Sequence, residues 1–187
     1  MKLKKFNFKI INSTNDIAIR IIKRSNDKSG IVIAEKQKKG RGQHGKKWIS
    51  YKGNLFASVF FCIDKINLSV EELTKVNCLL IKKLLLHFYK GKITIKEPND
   101  LLINHKKISG ILQETLSNSG ETFIIIGVGI NLIKSPNIKN YPTTNLLDLI
   151  NVKIDSNNAI LKLIKIYEKF IPMFPKFNVK NIDRILK

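Results

Sequence analysis

Three stretches of the chain concentrate side chains able to do chemistry. The first, Gly40-Arg41-Gly42-Gln43-His44-Gly45, sets three glycines among cations, with Lys38, Lys39, Lys46 and Lys47 on either side. Glycines let a backbone approach a ligand closely and turn its N–H groups inward as an anion nest. Such a loop could close over a phosphate or an acyl phosphate and exclude water. A solvated basic hairpin is the alternative reading of the same residues. The segment also matches GxGxxG, with Asp64 downstream at the distance of a dinucleotide fingerprint. That fingerprint needs its glycines at a strand-to-helix turn. Here Lys36 to Lys39 intervene before the first glycine and Trp48-Ile49-Ser50 opens a β-rich run, so a Rossmann site is rejected.

The second stretch, Lys96-Glu97-Pro98-Asn99-Asp100, puts an amide beside a carboxylate between two short strands. Asp100 could hold Mg²⁺, since hard cations prefer carboxylate oxygens, or it could orient a lysine. Taken alone the segment is as easily a turn. Lys107 follows in Lys106-Lys107-Ile108-Ser109-Gly110-Ile111-Leu112. A lysine there could neutralise charge developing between a carboxylate and an α-phosphate. With 30 lysines in the chain, position by itself does not single it out. The third stretch, Gly127-Val128-Gly129-Ile130-Asn131, closes the most apolar strand. No Ser/His or Cys/His arrangement for nucleophilic catalysis is evident. His44, His87 and His105 are scattered and read as surface or loop residues. Cys62 and Cys78 form no CxxC and read as two buried, reduced thiols of a cytoplasmic protein.

The elements that must position these residues follow from periodicity. Phe6, Phe8 and Ile10 alternate with polar residues as in a strand, and Ser13-Thr14-Asn15-Asp16 can cap a helix with Ile17, Ile21 and Ile22 on its apolar stripe. Strands are expected at 31–35 and 55–62, separated by the polar glycine loop of 36–47. Ser69-Val70-Glu71-Glu72 has capping-box spacing and opens a helix expected to reach Tyr89. Short strands at 92–96, 101–103 and 107–116 come next, the last two joined at an Asn104-His105 turn. A strand at 121–132 follows. From about residue 143 to the end near Lys187 the sequence reads mostly as helix, with Ser156 as a cap for a stretch ending near Phe174. With no repeats and no low-complexity linker, residues 1–187 read as one α/β (α+β) domain with a mixed sheet.

Composition bounds the possibilities. Apolar residues make up 43 % of the 187 residues, enough for a full core. No run is long and apolar enough for a membrane span, and no secretory signal is visible at the start. The formal charge of +20 would ordinarily point to nucleic acid. Yet only Arg20, Arg24, Arg41 and Arg184 are arginines, and the chain is crowded with Lys, Ile and Asn, so most lysines read as a solvated surface. A positive field would still draw in anionic ligands and acidic protein partners.

Taken together, the motifs resemble the catalytic domain of biotin protein ligases. Ser13-Thr14-Asn15 comes first. Ala34-Glu35-Lys36-Gln37 follows, leading into Gly40-Arg41-Gly42-x-x-Gly45-x-x-Trp48. Lys96-x-Pro98-Asn99-Asp100-Leu101 with Lys107-x-x-Gly110-Ile111-Leu112 is third, and Gly127-Val128-Gly129-Ile130-Asn131 closes the series. The blocks span residues 13 to 131. The resemblance implies a mixed, largely antiparallel sheet flanked by helices, of the class II aminoacyl-tRNA synthetase/biotin protein ligase type. It implies ATP-dependent formation of biotinyl-5′-AMP and transfer of biotin to a lysine of a biotin carboxyl carrier protein or domain, with ATP and biotin as substrates and Mg²⁺ as cofactor. By matched position, Ser13, Thr14 and Gln37 resemble the groups that bind the biotin ureido ring, with Asn15 and Gly110 also on the biotin side. Gly40, Arg41, Gly42 and Gln43 resemble the loop that orders over biotin and its adenylate. Lys107 matches the lysine beside the reacting carboxylate and α-phosphate, with Arg41 as its catalytic companion. Lys96, Asn99 and Asp100 fall on the ATP and Mg²⁺ side, and Asn131 near the adenine. Trp48 reads first as a core or loop anchor and second as a biotin contact.

Departures from the family pattern carry their own expectations. Gln43 stands where a second arginine is usual and Lys46 replaces the last one, so the adenylate should be held less tightly. Glu97 replaces the usual tryptophan before Pro98, and residues 135–150 offer no tryptophan for adenine. The chain is expected to lack the N-terminal DNA-binding domain and the C-terminal SH3-like domain of some relatives, so no DNA partner is expected. Two rivals remain: a lipoate ligase or octanoyl transferase of the same fold, and a non-catalytic basic nucleic-acid-binding protein.

Overall fold

The computed structural model describes residues 1–177. In chain order the elements are β1 (Lys4–Ile11), α1 (Thr14–Arg24), β2 (Ser29–Gln37), β3 (Leu55–Cys62), α2 (Val70–Leu85), β4 (Thr94–Lys96), β5 (Asp100–Ile103), β6 (Lys106–Asn118), β7 (Glu121–Ile130), α3 (Leu146–Ile150) and α4 (Ser156–Phe170). The seven strands form one sheet in the order β1-β2-β3-β7-β6-β5-β4. β1 and β2 run parallel, because α1 carries the chain back between them; the other pairs are antiparallel. The sheet is therefore mixed and largely antiparallel, as expected.

Period-two alternation divides the sheet into two faces. Ile31 and Ile33 of β2, Leu55, Ala57, Val59 and Phe61 of β3, and Ile124, Ile126, Val128 and Ile130 of β7 point into a large core shared with α2 and α4. The opposite face carries Val32, Phe60, Phe123 and Ile125, which pack under Ala18 and Ile22 of α1. Along that second face β7 changes character. Phe123 and Ile125 give way to Gly127 and Gly129, so the cover of apolar side chains stops halfway along the strand. That break makes the room that the functional site occupies.

The helix boundaries differ from expectation in three places. Ser69 caps α2 through the expected capping box, accepting from Glu72 N at 3.2 Å while its own N–H donates to Glu72 at 2.6 Å. The helix ends at Leu85 and not at Tyr89, because the buried stripe stops at Leu84 and Leu85, leaving Leu86 and His87 in solvent. At α4 the cap is Asp155 and not Ser156. Its carboxylate accepts from Asn157 N at 3.0 Å, where the helix dipole also favours a negative charge. Ser13 occupies the cap position of α1 but makes no side-chain capping bond. The helical ending expected near Lys187 lies outside the described residues. Among the described residues, no helix is long and apolar enough to cross a membrane.

Candidate active site

A cavity of about 620 Å³ lies over the glycine stretch of β7. The start of α1, the 41–49 loop, the 96–100 segment, β6 and the 136–143 segment line it. Its floor is set by α1. The first turn of that helix leaves N–H groups unpaired unless something outside caps them. Gln37, at the end of β2, does so: its Oε1 accepts from Thr14 N at 2.8 Å and lies 3.1 Å from Thr14 Oγ1, and its Nε2 donates to Ser50 Oγ at 3.1 Å. Ser13, spared that task, lines the cavity. Asn15 is buried and fully engaged. Its Oδ1 accepts from Ser58 Oγ at 2.5 Å, and its Nδ2 donates to Glu114 at 2.6 Å and to Leu112 O at 3.2 Å. A side chain at Gly127 would strike Asn15 Oδ1 at 2.4 Å, so the strand has to be bare there.

The glycine loop closes one wall. Gly42 and Lys46 are joined by a 2.7 Å backbone bond, and Trp48 N donates to Gly40 O at 2.9 Å. A short 3-10 turn at Gln43–Gly45 forms the tip. No α-helix lies between β2 and β3, in keeping with the rejection of a dinucleotide site. Arg41 fastens the loop to the body of the protein. Its two terminal nitrogens meet Glu114 at 2.9 and 2.7 Å, and Nη2 also meets Asp16 at 2.9 Å. The bond to Glu114, aided by the charge of Asp16, raises the guanidinium pKa above its ordinary value. One Glu114 carboxylate thus grips both Asn15 on the floor and Arg41 on the loop.

Trp48 is at once an anchor and a wall. Gly110 of β6 and Gly129 of β7 face each other across the ladder, giving a bare patch on the cavity side. The indole covers it so closely that a Cβ at Gly129 would come within 2.4 Å of Trp48 Cε2, and one at Gly110 within 2.9 Å of Cζ3. Trp48 Nε1 is buried without a hydrogen-bond partner. Lys107 Nζ stands 5.3 Å from the indole centre and pairs with Asp100 Oδ1 at 2.7 Å. The other oxygen, Asp100 Oδ2, accepts from Tyr141 at 2.5 Å. Asn99 Nδ2 donates to Ile111 O at 2.6 Å, tying the 96–100 segment to β6. Asn131 is buried. Its Nδ2 donates to Thr144 O at 3.1 Å, while its Oδ1 has no partner.

Nearly every residue singled out in the sequence reaches this cavity. Ser13, Thr14, Asn15, Gln37, Arg41, Gly42, Gln43, Trp48, Lys96, Asn99, Asp100, Lys107, Gly110 and Asn131 all line it. Gly40 does not. It is buried behind the wall, where a side chain would meet Trp48 O at 2.5 Å. Sequence reasoning missed Glu114 and Tyr141. Glu114 was within reach, since counting by twos from Gly110 along one strand face leads through Leu112 to Glu114. Nothing local marked Tyr141.

The histidines are exposed as expected, although His44 lines the cavity. Both cysteines are unpaired, but Cys62 is only partly buried, because the end of β3 leaves the core. Neither lines the cavity. Burial pushes the Cys78 thiol up to about 12, so it is no nucleophile at neutral pH. Cys62, Asp64 and Glu121 are the described residues grouped closely enough for a metal ion. They sit at the opposite end of β3 and β7, where Glu121 also pairs with Lys28.

The family model described as the Biotin/lipoate A/B protein ligase family matches residues 7–131. The chain belongs to this family. Within the biotin/lipoate ligase family, the bifunctional ligase/repressor BirA of Escherichia coli is 35 % identical over 126 residues, covering 66 % of this chain and 39 % of that protein. BirA of Bacillus subtilis is 29 % identical over 168 residues, or 86 % and 51 % of the two chains. The chain thus spans about half or less of the length of these curated relatives. Among solved structures, the biotin protein ligase from Aquifex aeolicus in complex with biotin and ATP superposes with a TM-score of 0.82 at 24 % identity. That match covers 98 % of this chain and 77 % of the other, and it shows that the biotin/lipoate ligase fold is common to both.

Proposed function

We propose that the protein activates biotin with ATP and transfers it to a lysine of a biotin carboxyl carrier protein or domain. The observation that carries this reading is that Lys107 and the Arg41 loop line one cavity, with a polar floor at one end and cations at the other. The BirA relatives are ligases by name, and the Aquifex aeolicus protein holds biotin and ATP in one structure.

The chemistry has two steps. The biotin carboxylate attacks the α-phosphorus of ATP, forming biotinyl-5′-AMP and releasing pyrophosphate. The carrier lysine amine then attacks the acyl carbon and expels AMP. Ser13, free of capping duty, and the hydrogen-bonded Thr14–Gln37 pair beside it present polar groups to the ureido ring, and an analogue without matching groups forfeits those contacts. Lys107 neutralises charge between the carboxylate and the phosphate. The unpaired Trp48 N–H and Asn131 Oδ1 are a buried donor and a buried acceptor waiting on ligand atoms. For Asn131 the adenine amino group is the fitting donor. Arg41 serves by fastening the loop that keeps water from the mixed anhydride. Lys96 and Asn99 belong to the nucleotide side. The same reading places the protein in the cytoplasm, where ATP is supplied and thiols stay reduced.

The test is exchange of labelled pyrophosphate into ATP, driven by biotin in one arm and lipoate in the other. Biotin alone should support exchange. Lipoate-driven exchange without biotin-driven exchange would transfer the assignment to the lipoate branch of the family, and steeply salt-dependent nucleic-acid binding without exchange would discard both.

Gln43 gives a separate prediction. It lines the cavity where a second arginine is usual and supplies neither permanent charge nor a planar fork. Restoring the cation in Gln43→Arg should slow release of biotinyl-5′-AMP from the enzyme by about tenfold, in line with one charge-assisted hydrogen bond. Equal release from parent and variant, followed by rapid filtration, would refute the point.

A further inference from the structure

Residue types left Asp100 two possible parts, as a magnesium ligand or as the orienter of a lysine, and its surroundings decide between them. Both carboxylate oxygens are engaged: Oδ1 is in ion-pair contact with Lys107 Nζ at 2.7 Å, without hydrogen-bond alignment, and Oδ2 accepts from the Tyr141 hydroxyl at 2.5 Å. The two paired side chains are only 19 % and 13 % exposed. Mg²⁺ demands oxygen ligands at about 2.0–2.1 Å in near-octahedral array, and an ammonium already bound to one of those oxygens repels it. Asp100 does not fit a magnesium ligand.

Tyr141 is built into the same arrangement. The segment that bears it is stitched to the strand that bears Lys107: Lys107 N donates to Pro142 O, and Thr144 N donates to Lys107 O, each at 2.9 Å. Upstream, Asn54 Oδ1 pins the segment's start by accepting from Leu132 N and Ile133 N at 3.0 Å. The centre of the tyrosine ring lies 4.5 Å from Lys96 Nζ and 5.5 Å from Lys107 Nζ, within reach of both cations. Burial, reinforced by the bond to Asp100, pushes the phenol well above its ordinary pKa, and it remains a donor at any working pH.

We infer that Tyr141 is a positioning residue that acts through Asp100 on Lys107, and that Asp100 anchors the lysine instead of binding metal. The inference rests on the adenylation reading above. A fixed ammonium needs no reorganisation as charge develops beside it, and its contribution is accordingly to turnover and not to substrate capture.

The experiment compares the parent with Tyr141→Phe, Asp100→Asn and the double variant in biotin-dependent pyrophosphate exchange across a magnesium titration. Loss of the phenolic hydroxyl should lower kcat by about tenfold, the scale of one hydrogen bond to a charged group, with the biotin KM changed less than about twofold. The double variant should be no slower than Asp100→Asn alone, because both act through one lysine. The magnesium concentration for half-maximal exchange should be the same in all four proteins. Parental kcat in Tyr141→Phe, or a raised magnesium requirement in Asp100→Asn, overturns the inference. A readout independent of turnover accompanies it: competitive amine acylation followed by mass spectrometry, in which Lys107 should label faster in Tyr141→Phe than in the parent. Faster labelling in a protein without exchange activity would uphold the positioning role while removing the adenylation reading; unchanged labelling would remove the positioning role.

Discussion

Replacing Lys107 by alanine should cut biotin-dependent pyrophosphate exchange by at least about a hundredfold, the usual scale for losing a preorganised charge at a reacting centre. The lysine projects from the start of β6 into the cavity, held by Asp100 at 2.7 Å and flanked by the rings of Trp48 and Tyr141. The loss should fall on kcat. A cation opposite charge that appears only as the carboxylate attacks phosphorus stabilises the transition state more than the bound substrates. The variant also leaves Asp100 without its cation, so a thermal melt should accompany the kinetics to confirm that the protein is still folded. Exchange at the parental rate would remove Lys107 from the reaction.

The second large effect is expected from a residue with no side chain. Gly129→Val should lower the same exchange by about a hundredfold while the sheet stays intact, since a displacement of about 1 Å in a positioning element costs that much. Valine suits a strand, so the ladder between β6 and β7 has no reason to fail. The indole of Trp48, however, lies where the new Cβ must go, 2.4 Å from Cε2. Trp48 has to leave its seat, and the loop tethered to it through Gly40 and Lys47 must move with it. Quenching of fluorescence from this single tryptophan reports the displacement directly. A variant with parental fluorescence and parental exchange would show that the bare patch is not what seats the ring.

Much of this was legible in the residues, and the limits are instructive. Continuous apolar runs in β3 and β7 announced strands, and the capping box at Ser69 announced α2. The motif residues were found because they lie on consecutive short segments that the sheet order then gathers. What stayed hidden depends on long-range contact. Gln37 caps a helix that begins 23 residues before it, and Tyr141 meets a carboxylate 41 residues upstream. No local pattern encodes such meetings. The cap at Asp155 instead of Ser156 is a subtler miss, a choice between neighbours with similar capping strength. The sequence also favoured Arg41 as a reacting cation, whereas in the structure its guanidinium is bound to two acids on α1 and β6.

That binding divides labour among the cations. In a chain with 34 basic residues, the site contains one arginine, and it is neutralised by Glu114 and Asp16. A planar fork suits permanent docking, while flexible ammonium groups suit pursuit of a mobile anion. On the ligase reading proposed above, the triphosphate falls to Lys46, Lys47 and Lys96, which line the same cavity, while Arg41 stays on its two acids. Raising the salt should therefore weaken capture of the anion and, because the Arg41 pairs are themselves partly exposed, the clamp on the loop as well.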